Sequence, residues 1–145
     1  MAAAARVRDF MTRDPITLRE DDLLRQAVEI VMVRRIRHIP VLDGSSRLVG
    51  IVTDRDIHGT LPSPLSAAAP EEYEALLETT ALARIMTRAV VTVGADDLAA
   101  EAVETLLSSK IDGLPVLDEG RLVGIFTVRD ALRAYLELVR THPPA

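Results

Sequence analysis

The chain repeats its own sequence after 75 residues, and this internal repeat constrains the fold more than any other feature. The shared segments are Met11-Thr12 with Met86-Thr87, Ile39 to Asp43 with Leu114 to Asp118, and Leu48 to Gly50 with Leu122 to Gly124. The last pair is 74 residues apart, so the second copy is one residue shorter in the preceding turn, where a deletion is best tolerated. Such a repeat predicts two copies of one supersecondary unit. We therefore predict domains at 6–60 and 81–140, joined by a linker at 61–80 that carries an inserted helix.

Within each copy, the hydrophobic pattern alternates between the periods of strands and helices in the order β-α-β-β-α. Apolar residues at helical spacing predict a first helix that opens at Asp21 or Asp22 and ends near Arg34. A hairpin and a short helix from Thr53 to Ile57 complete the first copy. The predicted strands are 15–18, 39–42, 47–52, 90–93, 114–117 and 121–126, and the other predicted helices are 71–84, 96–109 and 128–139.

One such unit is an α+β fold (α/β by some schemes), with helices on one side of a three-stranded sheet. The other face of the sheet would be left without a covering layer. Two units placed face to face would bury both of these surfaces. We therefore predict that the two units pack sheet to sheet with pseudo-two-fold symmetry, and that clefts form where the sheets meet.

The composition allows a packed core and excludes several kinds of site. Of the 145 residues, 48% are apolar and only 3% are aromatic, so the core must consist mainly of aliphatic side chains. The absence of cysteine excludes disulfides, thiol nucleophiles and cysteine metal sites. The three histidines, His38, His58 and His142, are too far apart in sequence to form a metal-ligand motif. We therefore expect no metal site.

Charge and hydropathy argue against two classes of partner. A net charge of -5 and scarce aromatic residues disfavour a nucleic-acid-binding surface. No apolar run in the sequence reaches the roughly 18 residues that a membrane span needs. The first residues also lack the apolar core of a signal peptide. We expect a cytoplasmic protein that binds neither nucleic acid nor membrane.

The linker is the least repetitive part of the chain. Gly59 to Pro70 contains three prolines and many small residues, which break regular structure. Glu71 to Arg84 then has the apolar spacing of a helix. This insert is either a plain connector or a mobile flap over a site, and the sequence leaves both interpretations open.

Both copies end their last strand with the same pattern, Thr-x-x-Asp, at Thr53 and Asp56 and again at Thr127 and Asp130. At a helix start, backbone N–H groups point outward and the helix dipole favours anions. A threonine hydroxyl there can donate to a phosphate oxygen, and the aspartate can accept from two sugar hydroxyls. The same pattern is also a capping box, which needs no ligand. Each corner therefore has two interpretations, and both can hold together.

Nothing in the sequence indicates catalysis. The paired carboxylates at Asp21-Asp22 and Asp96-Asp97 are explained by the helix starts where we place them. The sequence has no nucleophile–base pair, no phosphate-binding loop of the Walker type and no dinucleotide-binding glycine pattern. We therefore expect a protein that is not an enzyme.

The ordered set of motifs, repeated in register, resembles the cystathionine β-synthase (CBS) domain pair. The set is Met-Thr, an amphipathic helix, apolar-Pro-Val-apolar-Asp and Leu-Val-Gly-apolar-apolar-Thr-x-x-Asp, and it covers the chain except the insert and the tail. Each motif alone is weak evidence, whereas the ordered set is highly specific. The resemblance implies a regulatory module, often called a Bateman module, that binds AMP, ADP, ATP or S-adenosylmethionine in clefts between its domains. It also implies a homodimer of pairs.

The resemblance assigns a role to particular residues. Thr53 and Asp56 would serve one nucleotide, and Thr127 and Asp130 another. The apolar-Pro pairs would sandwich adenine, and basic residues near the corners would reach phosphates. The complete set of implied nucleotide-binding residues is Thr53, Asp56, Thr127, Asp130, His38, Ile39, Pro40, Leu114, Pro115, Arg55 and Arg129. Each also has a purely structural interpretation, as a cap, a core strand or a surface ion pair.

The second copy departs from the first beside the phosphate. Asp112 and Gly113 occupy the positions of Arg37 and His38. A carboxylate next to a phosphate is unfavourable, so we expect two related but unequal sites. We expect the corner at Thr53 and Asp56 to be the better one for phosphate.

These observations together predict a non-enzymatic sensor of AMP, ADP or ATP that requires no cofactor. It would resemble the stand-alone members of the family, and ligand would change its conformation or its dimer and so bias an unknown effector protein. Two alternatives remain: a ligand-independent dimerisation or interaction module, and a binder of S-adenosylmethionine.

Overall fold

The computed structural model describes residues 4–62 and 70–141. These residues contain two separate β-sheets. One compact unit, called the first unit, takes residues 16–62 and 70–90, and the second unit takes residues 4–15 and 91–141. The compact units and the sequence repeats are therefore different divisions of the chain. Each unit contains most of one repeat together with the short segment at the start of the other, residues 80–90 in the first unit and 5–15 in the second.

The elements follow the chain as α1 (Val7–Phe10), β1 (Thr12–Arg13), β2 (Leu18–Arg19), α2 (Leu24–Arg34), β3 (His38–Leu42), β4 (Leu48–Thr53), α3 (Asp54–Thr60), α4 (Pro70–Thr79), a 3-10 turn (Leu82–Arg84), β5 (Val93–Gly94), α5 (Ala99–Ser109), β6 (Gly113–Asp118), β7 (Arg121–Thr127) and α6 (Val128–Thr141). Each repeat thus has the predicted order β-α-β-β-α, and the α+β class is confirmed. The helices α2 and α5 are each followed by a cap residue in the left-handed region, Arg35 and Lys110, each with φ 54°.

The two sheets are built alike around an antiparallel hairpin. The first has the order β2-β3-β4, and the second has the order β1-β7-β6-β5. The prediction of three strands per sheet is wrong for the second unit, because β1 adds an edge strand antiparallel to β7, with Thr12 opposite Ile125. In the first unit the same place holds a single bridge between Ile51 and Thr87.

The segment at the start of each repeat, residues 5–15 or 80–90, is called its leading segment. Each leading segment pairs with the other repeat through matching hydrogen bonds. In the second unit, Val7 N donates to Asp97 O at 2.9 Å, and Ala99 N donates to Ala5 O at 2.9 Å. In the first unit, the corresponding bonds are Leu82 N to Asp22 O at 2.9 Å and Leu24 N to Thr80 O at 2.8 Å. The internal symmetry of the sequence therefore extends to the contacts of these exchanged leading segments.

An ion pair also holds the leading segment of the second unit. Arg8 Nε lies 2.7 Å from Asp96 Oδ1. The hydrogen bond from this guanidinium, together with its charge, lowers the pKa of the Asp96 carboxyl. The acidic pair Asp96-Asp97 therefore has structural roles, because Asp97 also accepts a hydrogen bond from Gly94 N at 2.8 Å.

Each unit has its own aliphatic core. The fully buried core residues are Leu24, Ala27, Ile39, Val41, Val52 and Leu82 in the first unit, and Val7, Ala102, Leu114, Val116 and Phe126 in the second. The leading segments contribute to these cores, since Val7 and Met11 lie in the second and Leu82 and Met86 in the first. This burial of apolar side chains stabilises the exchanged arrangement.

Three of the predicted helices have clearly different limits in the structure, and one of them, α5, begins at Ala99 after the cap Leu98 and not at Asp96. The expectation that Asp21 or Asp22 opens a helix is wrong, because Leu23 caps α2 and Asp22 instead accepts from Arg19 N at 2.7 Å in the preceding turn. The expected helix over 71–84 ends at Thr79, since the backbone groups of residues 80–83 bond to the first repeat. The predicted strands 15–18 and 90–93 are reduced to Leu18–Arg19 and Val93–Gly94.

The inserted helix α4 belongs to the first unit. Leu77 is 5% exposed and lies in the first core. Arg25 on α2 forms an ion pair with Glu74 at 2.7 Å and a second ion pair with Glu78. These contacts support the connector interpretation for α4, while residues 63–69 of the insert and His142 in the tail lie outside the described residues.

Two observations concern membranes and metals. Across residues 4–62 and 70–141, no helix combines the length and the apolar character that crossing a bilayer requires. The same residues contain no cluster of three histidine or carboxylate side chains placed to hold a metal ion. The packing of the two units sheet to sheet remains a prediction.

Candidate functional site

The first corner lies where β4 meets α3. Thr53 has extended backbone and caps the helix, and its Oγ1 accepts from Asp56 N at 3.2 Å. In return, Asp56 Oδ2 accepts from Thr53 N at 2.9 Å and from Thr53 Oγ1 at 3.1 Å. The capping interpretation is therefore confirmed here, and it holds both side chains in one orientation.

The second corner, where β7 meets α6, repeats this geometry. Thr127 Oγ1 accepts from Asp130 N at 3.2 Å, and Asp130 Oδ2 accepts from Thr127 N at 2.9 Å and from Thr127 Oγ1 at 3.1 Å. The two corners thus share one local structure, as the repeat predicts. Any difference in function must come from the surrounding side chains.

Part of the donor capacity of both helix starts is already used within the chain. Asp54 N donates to Arg37 O at 3.2 Å, and Val128 N donates to Asp112 O at 2.9 Å. Together with the threonine caps, these bonds satisfy two of the first amide groups of each helix. An anion at either corner would therefore depend mainly on side chains.

The strand opposite each threonine supplies the residue that differs most between the corners. His38 is the first residue of β3 and lies opposite Thr53, whereas Gly113 lies opposite Thr127. Directly opposed side chains in an antiparallel pair lie on the same face and within contact distance. The half-buried His38 is therefore beside the first corner, and the second corner has no side chain at that position.

The residues proposed to contact adenine divide between the two faces of each sheet. Ile39 and Leu114 are fully buried in the cores of their own units, so their side chains have a structural role. Pro40 and Pro115 are also buried, but they point to the opposite face because side chains alternate along a strand. All four side chains are therefore buried in the described structure, and the prolines differ from Ile39 and Leu114 in the face of the sheet on which they lie.

The two corner arginines are exposed to solvent. Arg55 and Arg129 lie in the first turns of α3 and α6. Neither forms an ion pair with any residue in the described part of the chain. The surface-pair interpretation of these two residues therefore finds no support, and both remain available to an anion.

The surroundings of the two aspartates are not alike. Asp130 is 1% exposed, accepts from Thr12 Oγ1 at 3.0 Å and forms an ion pair with Arg133. Asp56 is only half-buried. The sequence reasoning missed Thr12 and Arg133 as neighbours of this corner. The signal for Arg133 was its place three residues after Asp130, where the first copy has Gly59.

Comparison with known sequences identifies the repeats. The family model of the CBS domain matches residues 7–62 and 82–137. A CBS domain-containing protein from Dictyostelium discoideum is 32% identical over 142 residues, which is 95% of this chain and 96% of that protein. Inosine-5'-monophosphate dehydrogenase from Methanocaldococcus jannaschii is 31% identical over 90% of this chain, but the match spans only 24% of the dehydrogenase.

Comparison with solved structures finds the same architecture. A candidate acetoin utilization protein (AcuB) from Vibrio cholerae has a TM-score of 0.79 and 30% identity, covering 98% of this chain and 100% of that one. The CBS domain pair of protein MJ0100, in complex with 5'-methylthioadenosine and S-adenosyl-L-methionine, has a TM-score of 0.76 and 27% identity, covering 93% and 98%. CBSX2 from Arabidopsis thaliana, in complex with AMP, gives 0.76 and 27%, covering 92% and 98%. The chain therefore belongs to the CBS domain family, of which it carries two tandem copies.

Proposed function

We propose that the chain is a regulatory module that binds an adenosine ligand of the AMP type at the first corner. The observation that carries this proposal is the state of Asp56. Its Oδ2 is held by the cap, while no donor within residues 4–62 and 70–141 reaches its Oδ1. A half-buried carboxylate with a fixed orientation, and with one oxygen that no donor of the described residues reaches, is suited to accept hydrogen bonds from ribose hydroxyls.

The surroundings of the first corner suit the rest of such a ligand. His38 lies opposite Thr53, and Arg55 is exposed in the first turn of α3, so two basic side chains flank the place for a phosphate. Two structural neighbours are CBS proteins in complex with AMP or with methylthioadenosine and S-adenosylmethionine. These complexes share adenosine, which supports that class of ligand. Ligand binding that stabilises one conformation of this chain would then change how the chain acts on an effector protein.

Titration with a nucleotide panel tests this function. We expect AMP, among AMP, ADP, ATP, S-adenosylmethionine and 5'-methylthioadenosine, to bind in calorimetry. A ligand at about 100 times its Kd stabilises the folded state by about 2.7 kcal/mol. The melting temperature should therefore rise by several degrees. A chain that responds to none of the five compounds would refute the proposed function.

The variant Asp56→Ala locates the site. It should weaken AMP binding by about tenfold or more, because a hydrogen bond to a charged group contributes about 1.5–3 kcal/mol. Asp21→Ala is the matched control, since it removes an exposed carboxylate from the same unit. Equal affinities for the two variants would show that the ligand binds elsewhere.

A second function, assembly of a homodimer, is favoured by the exposed face of α6. This face is an apolar stripe at helical spacing, with Leu132 61%, Tyr135 64% and Leu136 48% exposed. Such a stripe suits a second copy of the chain. Sedimentation analysis should show a dimer that the double substitution Leu132→Glu and Tyr135→Glu converts to a monomer. Leu107→Glu, at a residue 75% exposed on α5, should leave the dimer intact. A monomeric parent chain would contradict this function.

A further inference from the structure

We infer that Arg133 closes the second corner, so that the chain takes one adenosine ligand instead of two. This inference rests on the proposed function and specifies which of the two corners performs it. The capping geometry is the same at both corners, so local structure alone would predict two equal sites. The difference lies in the donors that reach the two aspartates.

All the acceptor capacity of Asp130 is used within the second unit. Its Oδ2 accepts from the backbone N and the hydroxyl of Thr127, and its Oδ1 accepts from the hydroxyl of Thr12 and from Arg133. A carboxylate has about four lone-pair sites. These four donors therefore leave no acceptor site for a ribose hydroxyl.

Burial makes this arrangement costly to open. Asp130 is 1% exposed, whereas the side chain of Arg133 is 61% exposed. Moving the arginine away would leave a buried carboxylate without its counter-charge, which is strongly unfavourable. A neutral ribose hydroxyl cannot replace that charge. Arg133 thus occupies the Oδ1 of Asp130 that a ribose hydroxyl would need at the second corner.

The first copy lacks this competitor. The position equivalent to Arg133 is Gly59, which has no side chain to reach back to Asp56. Thr87, the equivalent of Thr12, forms its backbone bridge with Ile51, but its hydroxyl does not bond to Asp56. Within residues 4–62 and 70–141, the Oδ1 of Asp56 therefore lacks both donors that reach Asp130, and glycine at position 59 removes the charged one.

Placing the competitor at the first corner tests the inference. A Cβ built on Gly59 meets nothing within 4 Å, so alanine fits there and a longer side chain can start without overlap at its Cβ. An arginine three residues after an aspartate on a helix pairs with it. Gly59→Arg should therefore weaken AMP binding by about tenfold or more in calorimetry, since it blocks a bond to a charged group. Gly59→Ala should bind AMP as the parent chain does. Equal binding by both variants would overturn the inference.

The reverse substitution tests the second corner. The parent chain should bind one AMP per chain, and Arg133→Ala should add a second, weaker binding event. Arg140→Ala, which removes an exposed arginine from the same helix, should keep one. A parent chain that binds two AMP molecules with similar affinity would refute the role of Arg133 while leaving the proposed function intact. A parent chain that binds no AMP would refute the proposed function itself. If Arg133→Ala does not fold, the Gly59 pair still decides the question.

Discussion

Replacing Phe126 with alanine is expected to lower the free energy of unfolding by about 3–5 kcal/mol. Phe126 is fully buried on β7 and is the largest side chain of a core that also contains Val7 and Leu114. The remaining buried core residues are aliphatic, and Phe10, the other ring that packs against this core, is only partly buried. The loss of buried apolar surface and the remaining cavity both destabilise the unit. Urea unfolding should show a lower midpoint with an unchanged slope.

The matched control for this experiment is Leu107→Ala. Leu107 is 75% exposed on α5 of the same unit, so its truncation creates no cavity. Surface substitutions of this kind usually change stability by less than about 0.5 kcal/mol. Similar unfolding midpoints for the two variants would contradict the burial of Phe126.

Gly124→Ala is expected to destabilise the chain by about 1–3 kcal/mol, through steric overlap. A Cβ built on Gly124 lies 2.7 Å from Met11 Sδ and 2.8 Å from the carbonyl oxygen of Thr12. The methionine side chain can move, but the carbonyl belongs to β1, which pairs with β7 at this point. The substitution therefore requires β1 to shift from its partner. Thermal unfolding should show a lower melting temperature.

Two other glycines provide graded controls for this prediction. A Cβ on Gly50 meets mainly the flexible side chain of Met86, at 2.5 and 2.8 Å, and its nearest backbone atom is Thr87 O at 3.1 Å. A Cβ on Gly59 meets nothing within 4 Å. Gly50→Ala should therefore destabilise the folded chain less than Gly124→Ala does. Gly59→Ala should be neutral or slightly stabilising, since alanine is the better helix former. The reverse order would show that the carbonyl oxygen of Thr12 does not limit position 124.

The parts of the fold that sequence predicts are those determined by residues near one another in the chain. The hairpins, the Thr-x-x-Asp caps and the amphipathic helices follow from local patterns. The edge strand β1 does not, because its partner is remote: Thr12 and Asp130 are 118 residues apart. A two-residue strand has too few side chains to show a period. The repeat of the Met-Thr pair indicated that this segment matters, but not which repeat it joins.

The candidate site was likewise predictable only where it depends on residues that are close together in the sequence. Thr53 and Asp56 were recognisable because a capping box and a nucleotide corner use the same local spacing. The difference between the aspartates depends on donors from two elements, β1 and α6, which only the folded chain brings together at Asp130. The sequence did show one difference between the corners, His38 at the first and Gly113 at the second. This difference also indicates that the two sites are unequal. Arg133 was visible as an i+3 neighbour, yet its importance depends on the burial of Asp130.

The exchange of leading segments also determines when each unit can be completed during synthesis. The first unit is one continuous stretch, so it can fold once residue 90 has left the ribosome. The second unit joins residues that lie on both sides of the first unit in the sequence, because Val7 and Met11 share a core with Phe126. Domains generally fold in the order in which they emerge. Here Val7 and Met11 cannot join their core until β7 has been translated.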